Sequence, residues 1–454
     1  MKIHFIGIGG ISMSGLAHVA LHLGYAVSGS DENIENPSVR HLSDKGAVIF
    51  SGHRPENISS ETNLVVYTAA VREDNPEILR ARELKIPALD RAQFLSNLMD
   101  KYSRSIAVAG THGKTSTTSM ISVIFQHAQK DPTILIGGEL AAIGGNFRVG
   151  HSDFFITEAC EYVDSFLKFY PQTAVILNIE REHMDYFRDM EHILSSYGTF
   201  ASQVREDGIV IANGDDTQVR AAMRDVKRSK IFFGFDPQND AQIRDKGTDE
   251  EGNIFFDLFY EGRLLGHFAL PIPGIHNVYN AAASVLAAHL NGVCIEDVRS
   301  ALASYTGVGR RFELKGLYNG ARVYDDYAHH PSELRATLEA AESLKRKRLY
   351  TVFQPHTFTR TKEFLSVFAE SFAGSDVVII SDIYPSRERD TGLIHARDLV
   401  DAIRKTGKEA LYIGDKEEIR SYLADELRSE DVLLLIGAGD IYKVSEKLLS
   451  EQQK

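Results

Sequence analysis

The stretch "AGTHGKTSTT", residues 109–118, places glycine, lysine and threonine where they can hold a phosphate chain. The glycines Gly110 and Gly113 let backbone N–H groups wrap an anion, with Thr111 and His112 between them. A helix beginning at Lys114 would add its N-terminal donors and its dipole. Lys114 would then neutralise the β- and γ-phosphates of ATP, the Thr115 hydroxyl would sit on Mg, and Ser116 would follow in the first turn. The spacing G-x-x-G-K-T is two residues shorter than G-x-x-x-x-G-K-[ST]. A glycine-rich turn with a solvated lysine is the alternative. The buried run "SIAVA" before it and the helical pattern after it favour the phosphate.

Three further constellations lie at the ends of apolar runs. Glu158 closes "DFFITEA", and "NIEREHMDYF" places Glu180, Glu182, His183 and Asp185 after "TAVIL". Beside a phosphate loop, carboxylates and an imidazole suit Mg held jointly with phosphate oxygens. Singly, each is equally a surface charge. "PGIHNVYNAAAS" puts His276, Asn277 and Asn280 in the first turn of an apolar helix, where asparagines cap the helix or bind a base edge. Finally, "GVGRRFE", "YDDYAHHPSE" and "FQPHTFTRT" bring Arg310, Arg311, Glu313, Asp325, Asp326, His329, His330, His356, Arg360 and Thr361 to strand ends. Together they make one ligand-facing edge.

A near miss stands at the N-terminus. In "HFIGIGGISMSG", Gly7 and Gly9 fit the dinucleotide fingerprint G-x-G-x-x-G, but Ser12 occupies the third glycine's place. An NAD site, a different phosphate site and a tight turn all remain open at this level.

The elements that must position these residues alternate regularly. Strand-like runs at 2–8, 26–30, 63–69, 105–110, 153–159, 173–179 and 209–213 are separated by helical stretches such as 12–24, 77–86 and 114–129. The same alternation continues through 322–328, 349–355, 376–383, 410–414 and 431–439, with a helix at 276–291. This is the pattern of α/β domains on parallel sheets. Three blocks are expected, 1–102, 103–316 and 317–454. The polar, alternating segment 236–270 reads as an antiparallel excursion within the second.

Composition narrows the classes. The chain has 454 residues and 43% hydrophobic residues, enough for several cores. A net charge of -13 argues against nonspecific binding to nucleic acid or an anionic membrane. Two cysteines, Cys160 and Cys294, with no C-x-x-C, argue for a reducing compartment and against a cysteine metal site. With no signal-peptide pattern and no membrane-length apolar run, the expectation is a cytoplasmic protein, monomer or homodimer.

Taken in order, "AGTHGKTSTT", "TEACE", "NIEREHMDYF", "GIHNVYNAAAS", "GVGRRFE", "DDYAHHPSE" and "FQPHTFTRT" resemble the Mur ligases over the whole chain. The short G-T-x-G-K-T loop is that family's form of the phosphate loop. The resemblance implies an α/β protein of three domains: a Rossmann-like N-terminal domain for the UDP substrate, a central P-loop ATPase domain with a mostly parallel sheet, and a Rossmann-like C-terminal domain that completes the ATP and amino-acid site. It implies ATP and Mg as cofactors and, through "GIGGISMSG" and "DDYAHHP", UDP-N-acetylmuramate and L-alanine as substrates. ATP would phosphorylate the muramic acid carboxylate and the alanine amine would displace phosphate.

The residue roles implied by the resemblance follow the motifs. Lys114 and Arg310 would stabilise the transferred phosphate. Thr115 and Glu158 would hold one Mg, with His183 at a second. His276, Asn277 and Asn280 would contact adenine and Asp325 the ribose or ATP. Tyr327, His329 and Arg360 would form the alanine pocket. The N-terminal turn then becomes a cradle for the UDP diphosphate, through Gly9, Gly10, Ser12, Met13 and Ser14. Asp31, Gly52, His53 and Thr68 would reach the rest of the UDP substrate. Two positions depart from many relatives: Thr357, where some carry arginine, and Glu182, where many carry Asp. The carbamylated lysine of other members has no counterpart, because residues 184–204 contain no lysine. The rival readings are a ligase that adds a recovered tripeptide to the same sugar, an NAD-dependent oxidoreductase, and an ATP-binding regulator without catalysis.

Overall fold

Long apolar runs with no polar alternation form the buried parallel strands, and short helices between them cover both sheet faces. "VLLLI" (Val432–Ile436) and "LYTVF" (Leu349–Phe353) are buried at every residue, as a strand covered on both faces must be. The computed structural model describes residues 1–68, 71–184, 186–249, 253–386 and 388–452, so Asp185 lies outside the described residues.

Among the described residues three sheets are present. The first has the order β3-β2-β1-β4-β5, built from β1 (Lys2–Ile6), β2 (Ala26–Asp31), β3 (Val48–Ser51), β4 (Leu64–Tyr67) and β5 (Ala88–Asp90). All its pairings are parallel, with Ile6 beside Ser30 on one side and Tyr67 on the other. The order reverses between β1 and β4, the kind of point where open sheets bind ligands.

The second sheet has ten strands. They are β6 (Arg104–Ala109), β7 (Thr133–Leu140), β8 (Gly145–Arg148), β9 (Phe154–Glu158), β10 (Thr173–Ile176), β11 (Ile209–Asn213), β12 (Lys230–Gly234), β13 (Ala241–Thr248), β14 (Ile254–Tyr260) and β15 (Arg263–Leu270). Their order is β15-β14-β13-β12-β11-β10-β6-β9-β7-β8. The expected excursion at 236–270 is present as β13 to β15. Only two residues join the neighbours β14 and β15, too few for a parallel crossover, so that pair is antiparallel. The third sheet, β16-β17-β21-β18-β19-β20, contains β16 (Glu313–Tyr318), β17 (Ala321–Asp326), β18 (Leu349–Phe353), β19 (Val377–Ile380), β20 (Ala410–Tyr412) and β21 (Val432–Ile436). Among the described residues β16 pairs antiparallel with β17, and the other pairings of this sheet are parallel. β16 therefore begins this sheet ahead of residue 317.

Several strands carry too little apolar sequence to be read in advance. β3 and β5 have four and three residues, none fully buried, and they are the edges of their sheet. β8 and β16 are likewise edges without a fully buried residue.

The chain folds into two compact units. One comprises residues 1–244, 258–266 and 279–302, the other 245–257, 267–278 and 303–454. In the first unit one continuous core joins the first two sheets. The helix Ile11–His22 lies close to β7, where a Cβ on Gly15 would come within 2.9 Å of Leu135. His18 stacks on Phe147 with ring centroids 4.3 Å apart. Among the described residues no helix is long and apolar enough to cross a membrane.

Candidate functional site

The strand β6 ends at Ala109, and the chain turns into the helix Lys114–His127 through Gly110 and Gly113. Gly113 caps the helix at φ +82°, and a Cβ there would lie 2.5 Å from the Asn280 side-chain oxygen. Both facts require glycine. The turn is tied to the end of β10: the Thr111 and His112 amides donate to the backbone and side-chain oxygens of Asn178 at 3.1 and 2.8 Å. The Glu180 amide donates to the Thr111 hydroxyl at 2.9 Å. What remains is the helix's first turn, whose N–H groups have no carbonyl within the helix, with the half-buried Thr115 and Ser116 at its head.

Lys114 lies across this turn. Its Nζ donates to the Gly110 carbonyl, to the Thr111 carbonyl at 3.1 Å and to Glu161 at 3.0 Å. Burial pulls the lysine down, but Glu161 above all, with Glu158 behind it, holds it above the ordinary lysine value. A largely buried cation restrained beside a helix N-terminus is an arrangement able to hold an anion. His183 completes the cluster, its Nε2 3.8 Å from Glu161 and its ring 4.6 Å from that of Tyr162. Its φ of +57° points to a backbone held in an uncommon conformation.

Glu161 is the residue that sequence reasoning passed over. Glu158 was singled out, yet its Oε1 accepts from the Gly137 amide at 2.6 Å, while Glu161 faces both Lys114 and His183. The available signal was the pair of glutamates three apart in "TEACE". Alternation fixes the direction of Glu158 inside the strand but not that of Glu161 beyond its end.

At the N-terminal turn the donors are distributed differently. The Gly7 and Ile8 amides bond to the Ser30 carbonyl at 2.8 and 3.0 Å. Gly9 donates to Asp31 Oδ2 at 2.8 Å and Gly10 to the Gly7 carbonyl at 3.2 Å. Asp31 thus closes the turn, and its other oxygen accepts from Asn33 at 3.0 Å. Of the five residues expected to form the cradle, the Gly9 and Gly10 amides are thus engaged within the protein, while Ser12 and Met13 stand at the head of the helix. The Met13 side chain and Ser14 are buried, so Met13 has its amide alone to offer. Arg91 donates to the Ser12 hydroxyl at 3.0 Å. Thr68 lies against Gly7, with its methyl 3.2 Å from where a Cβ would stand. Gly52, at φ +71°, donates to the Asp31 carbonyl at 2.9 Å and precedes the half-buried His53.

The second unit gathers its own cluster. Arg310 donates from Nε to Asp325 at 3.0 Å and from Nη2 to the Gly437 carbonyl at 2.6 Å. Its guanidinium lies 4.9 Å from the Tyr327 ring centroid and 4.5 Å from that of Tyr442. Burial raises the Asp325 carboxyl to about 6 against the opposing pull of Arg310. Burial also raises Asp326, whose oxygens accept from Phe312 and Ala328. His329 lies 5.7 Å from both the Tyr327 and His356 rings, and Arg360 Nη1 is 3.1 Å from His356 Nδ1. His329 and Arg360 therefore meet at His356, and Tyr327 joins them through His329. Asn277 donates to the Pro273 carbonyl at 2.7 Å, a bond made across the helix start, and the His276 ring lies against Gly274.

The likeness to known proteins spans the chain. Family models match three consecutive stretches: the Mur ligase family catalytic domain over residues 2–103, the Mur ligase middle domain over 108–288, and the Mur ligase glutamate ligase domain over 310–439. The UDP-N-acetylmuramate–L-alanine ligase of Caldanaerobacter subterraneus subsp. tengcongensis is 50% identical over 454 residues, covering 100% of this chain and 98% of its own. The enzyme of that name from Acetivibrio thermocellus is 51% identical over 452 residues, covering 99% and 96%. Among solved structures, the UDP-N-acetylmuramate-alanine ligase of Thermotoga maritima superposes with a TM-score of 0.83 at 28% identity, covering 100% of this chain and 99% of its own. The murein peptide ligase of Psychrobacter arcticus gives a TM-score of 0.70 at 25% identity, covering 99% and 98%. With the three models matched in order and such relatives sharing half its residues from end to end, the chain belongs to the Mur ligase family.

Proposed function

We propose that the protein joins L-alanine to the carboxylate of UDP-N-acetylmuramate, using ATP, as a cytoplasmic step of peptidoglycan synthesis. The observation that carries this reading is Lys114, largely buried and ion-paired across a glycine turn, in a chain whose curated relatives at 50% and 51% identity bear that activity in their names. Residues 1–102 would hold the UDP substrate and 103–316 would hold ATP. Residues 317–454 would complete the nucleotide and amino-acid sites.

A carboxylate is a poor electrophile. Its oxygen attacks the γ-phosphorus, ADP leaves, and the resulting acyl phosphate carries a good leaving group. The alanine amine then attacks the acyl carbon, loses a proton and expels phosphate. The first transfer needs charge neutralisation more than covalent help. Lys114 and Arg310 supply it as preorganised cations. Thr115 offers a hydroxyl, Glu158 and Glu161 carboxylates, and His183 an imidazole, a largely oxygen donor set that suits Mg. Mg would add further neutralisation of the phosphate oxygens. Asn280, at Gly113, and His276 and Asn277 are assigned to adenine, and Asp325 to the ribose or ATP. Arg360 would hold the alanine carboxylate, with Tyr327 beside it, and His329 would orient the amine or take its proton. An alanine at position 329 that left turnover unchanged removes that role.

Phosphate release tests the whole reading. Release that requires ATP, UDP-N-acetylmuramate and L-alanine together is expected. Release independent of the sugar nucleotide, or equal release when the tripeptide replaces alanine, overturns it.

A further inference from the structure

Beneath the first sheet lies a buried carboxylate that the proposed reaction does not use. Glu77 is in the first turn of the helix Pro76–Glu83 and is fully inaccessible. Burying a charge is costly unless it is hydrogen-bonded on all sides, and this one is. Ser30 donates to Oε2 at 2.7 Å, Asn57 donates to Oε1 at 2.6 Å, and His4 Nε2 lies 3.6 Å from Oε1. Burial pushes the carboxyl up, but the nearby His4 ring and the hydrogen bonds from Ser30 and Asn57 outweigh it and hold Glu77 below the ordinary range.

The network reaches the surface through one ring. His53 Nδ1 is 3.2 Å from Glu77 Oε2 and 3.0 Å from the Ser30 hydroxyl. An ionised carboxylate only accepts, and the single Ser30 proton already points to Glu77. Nδ1 must therefore carry a proton. In the neutral ring Nε2 is then an acceptor, and among the described residues it has no protein partner and is not buried. The ring stands beside Gly52, whose amide is bonded to Asp31, the residue that closes the glycine turn.

We infer that Glu77 is a positioning residue for base recognition: it fixes His53 with Nδ1–H turned inward, so that Nε2 accepts from an imide N–H, the N3–H of uracil. The inference rests on the UDP-sugar reading above. It gives the site a reason to take uracil and to reject cytosine, whose N3 is itself an acceptor.

Three measurements test it. Nitrogen-15 NMR of labelled histidine should show His53 as the Nδ1–H tautomer, assigned by its loss in His53→Ala. The Glu77→Gln protein should lose that tautomer preference. In kinetics, His53→Ala should raise KM for UDP-N-acetylmuramate about tenfold, with kcat and the KM values for ATP and alanine unchanged. The N3-methyluridine form of the substrate should raise KM about as much in the unmodified protein and not further in His53→Ala. An Nε2–H tautomer, or a methylated substrate used with the ordinary KM, overturns the inference. Absence of any turnover with UDP-N-acetylmuramate and alanine would instead sink the functional reading, while the tautomer still reports on Glu77.

Discussion

The strand–glycine–helix turns at residues 7–10 and 110–113 are built oppositely. At the first, the turn amides are satisfied from within: Gly7 and Ile8 by Ser30, Gly9 by Asp31, Gly10 by Gly7. The charged group closing the turn is the Asp31 carboxylate, and a cation, Arg91, reaches the Ser12 hydroxyl from another helix. At the second, a lysine lies across the loop, paired with Glu161. Both precede a helix N-terminus, and under the proposed function the difference would follow what each phosphate must do. A diphosphate that is only held needs shape and a few donors. A phosphoryl group that is transferred redistributes charge in the transition state and needs a fixed cation there.

If that distinction is right, the largest effect should come from the cation. Lys114→Ala should lower kcat about a thousandfold in the phosphate-release assay and leave KM for the UDP sugar nearly unchanged. An equal loss in both constants would mean that the two turns share one task. Next comes its partner. Breaking a buried ion pair leaves an uncompensated charge, so Glu161→Gln should destabilise the empty protein by about 3 kcal/mol. Saturating ATP should recover more stability in this variant than in the parent protein, because phosphates replace the missing counter-charge. Thermal denaturation with and without ATP measures both. Equal ATP-induced shifts would place the nucleotide away from Lys114.

The contrast between the turns also shows what a sequence discloses. "GTHGKT" was legible because its glycines, lysine and threonine are neighbours in the chain and act through local geometry. The parallel strands were legible where they are buried runs, as in Val432–Ile436. Glu161 was not, since its direction depends on how the chain leaves β9. Glu77 was not either, because its partners His4, Ser30, His53 and Asn57 are contributed by other elements across the first sheet. The engagement of Gly9 by Asp31 joins residues 22 apart in the chain, which glycine spacing alone does not reveal.

The glycines themselves separate the turns by a smaller margin. Gly113→Ala forces a side chain into a left-handed conformation and against Asn280 at 2.5 Å. That should cost roughly 2 kcal/mol, read as a higher KM for ATP and a lower melting temperature. Gly10 has φ −62°, and a Cβ there would meet nothing nearer than 3.5 Å. Gly10→Ala should therefore leave the melting temperature within a degree or two, as unstrained surface substitutions do. A Gly10→Ala protein as unstable as Gly113→Ala would show that the first turn is as constrained as the second.

The smallest effect belongs to Ser12, and its sign and location matter more than its size. Its hydroxyl accepts from Arg91 at 3.0 Å, which leaves its own proton to donate outward at the head of the helix Ile11–His22. A glycine at this position, as the dinucleotide fingerprint requires, would offer only an amide. Removing one neutral donor to an anion costs about 1 kcal/mol. Ser12→Ala should therefore raise KM for UDP-N-acetylmuramate about fivefold, with kcat and KM for ATP unchanged. Ser12→Gly, which restores the fingerprint, should behave the same way, since what is lost is the hydroxyl. A fall in kcat in either variant would mean that the first turn also stabilises charge during the reaction, and the division between holding and transferring phosphate would fail.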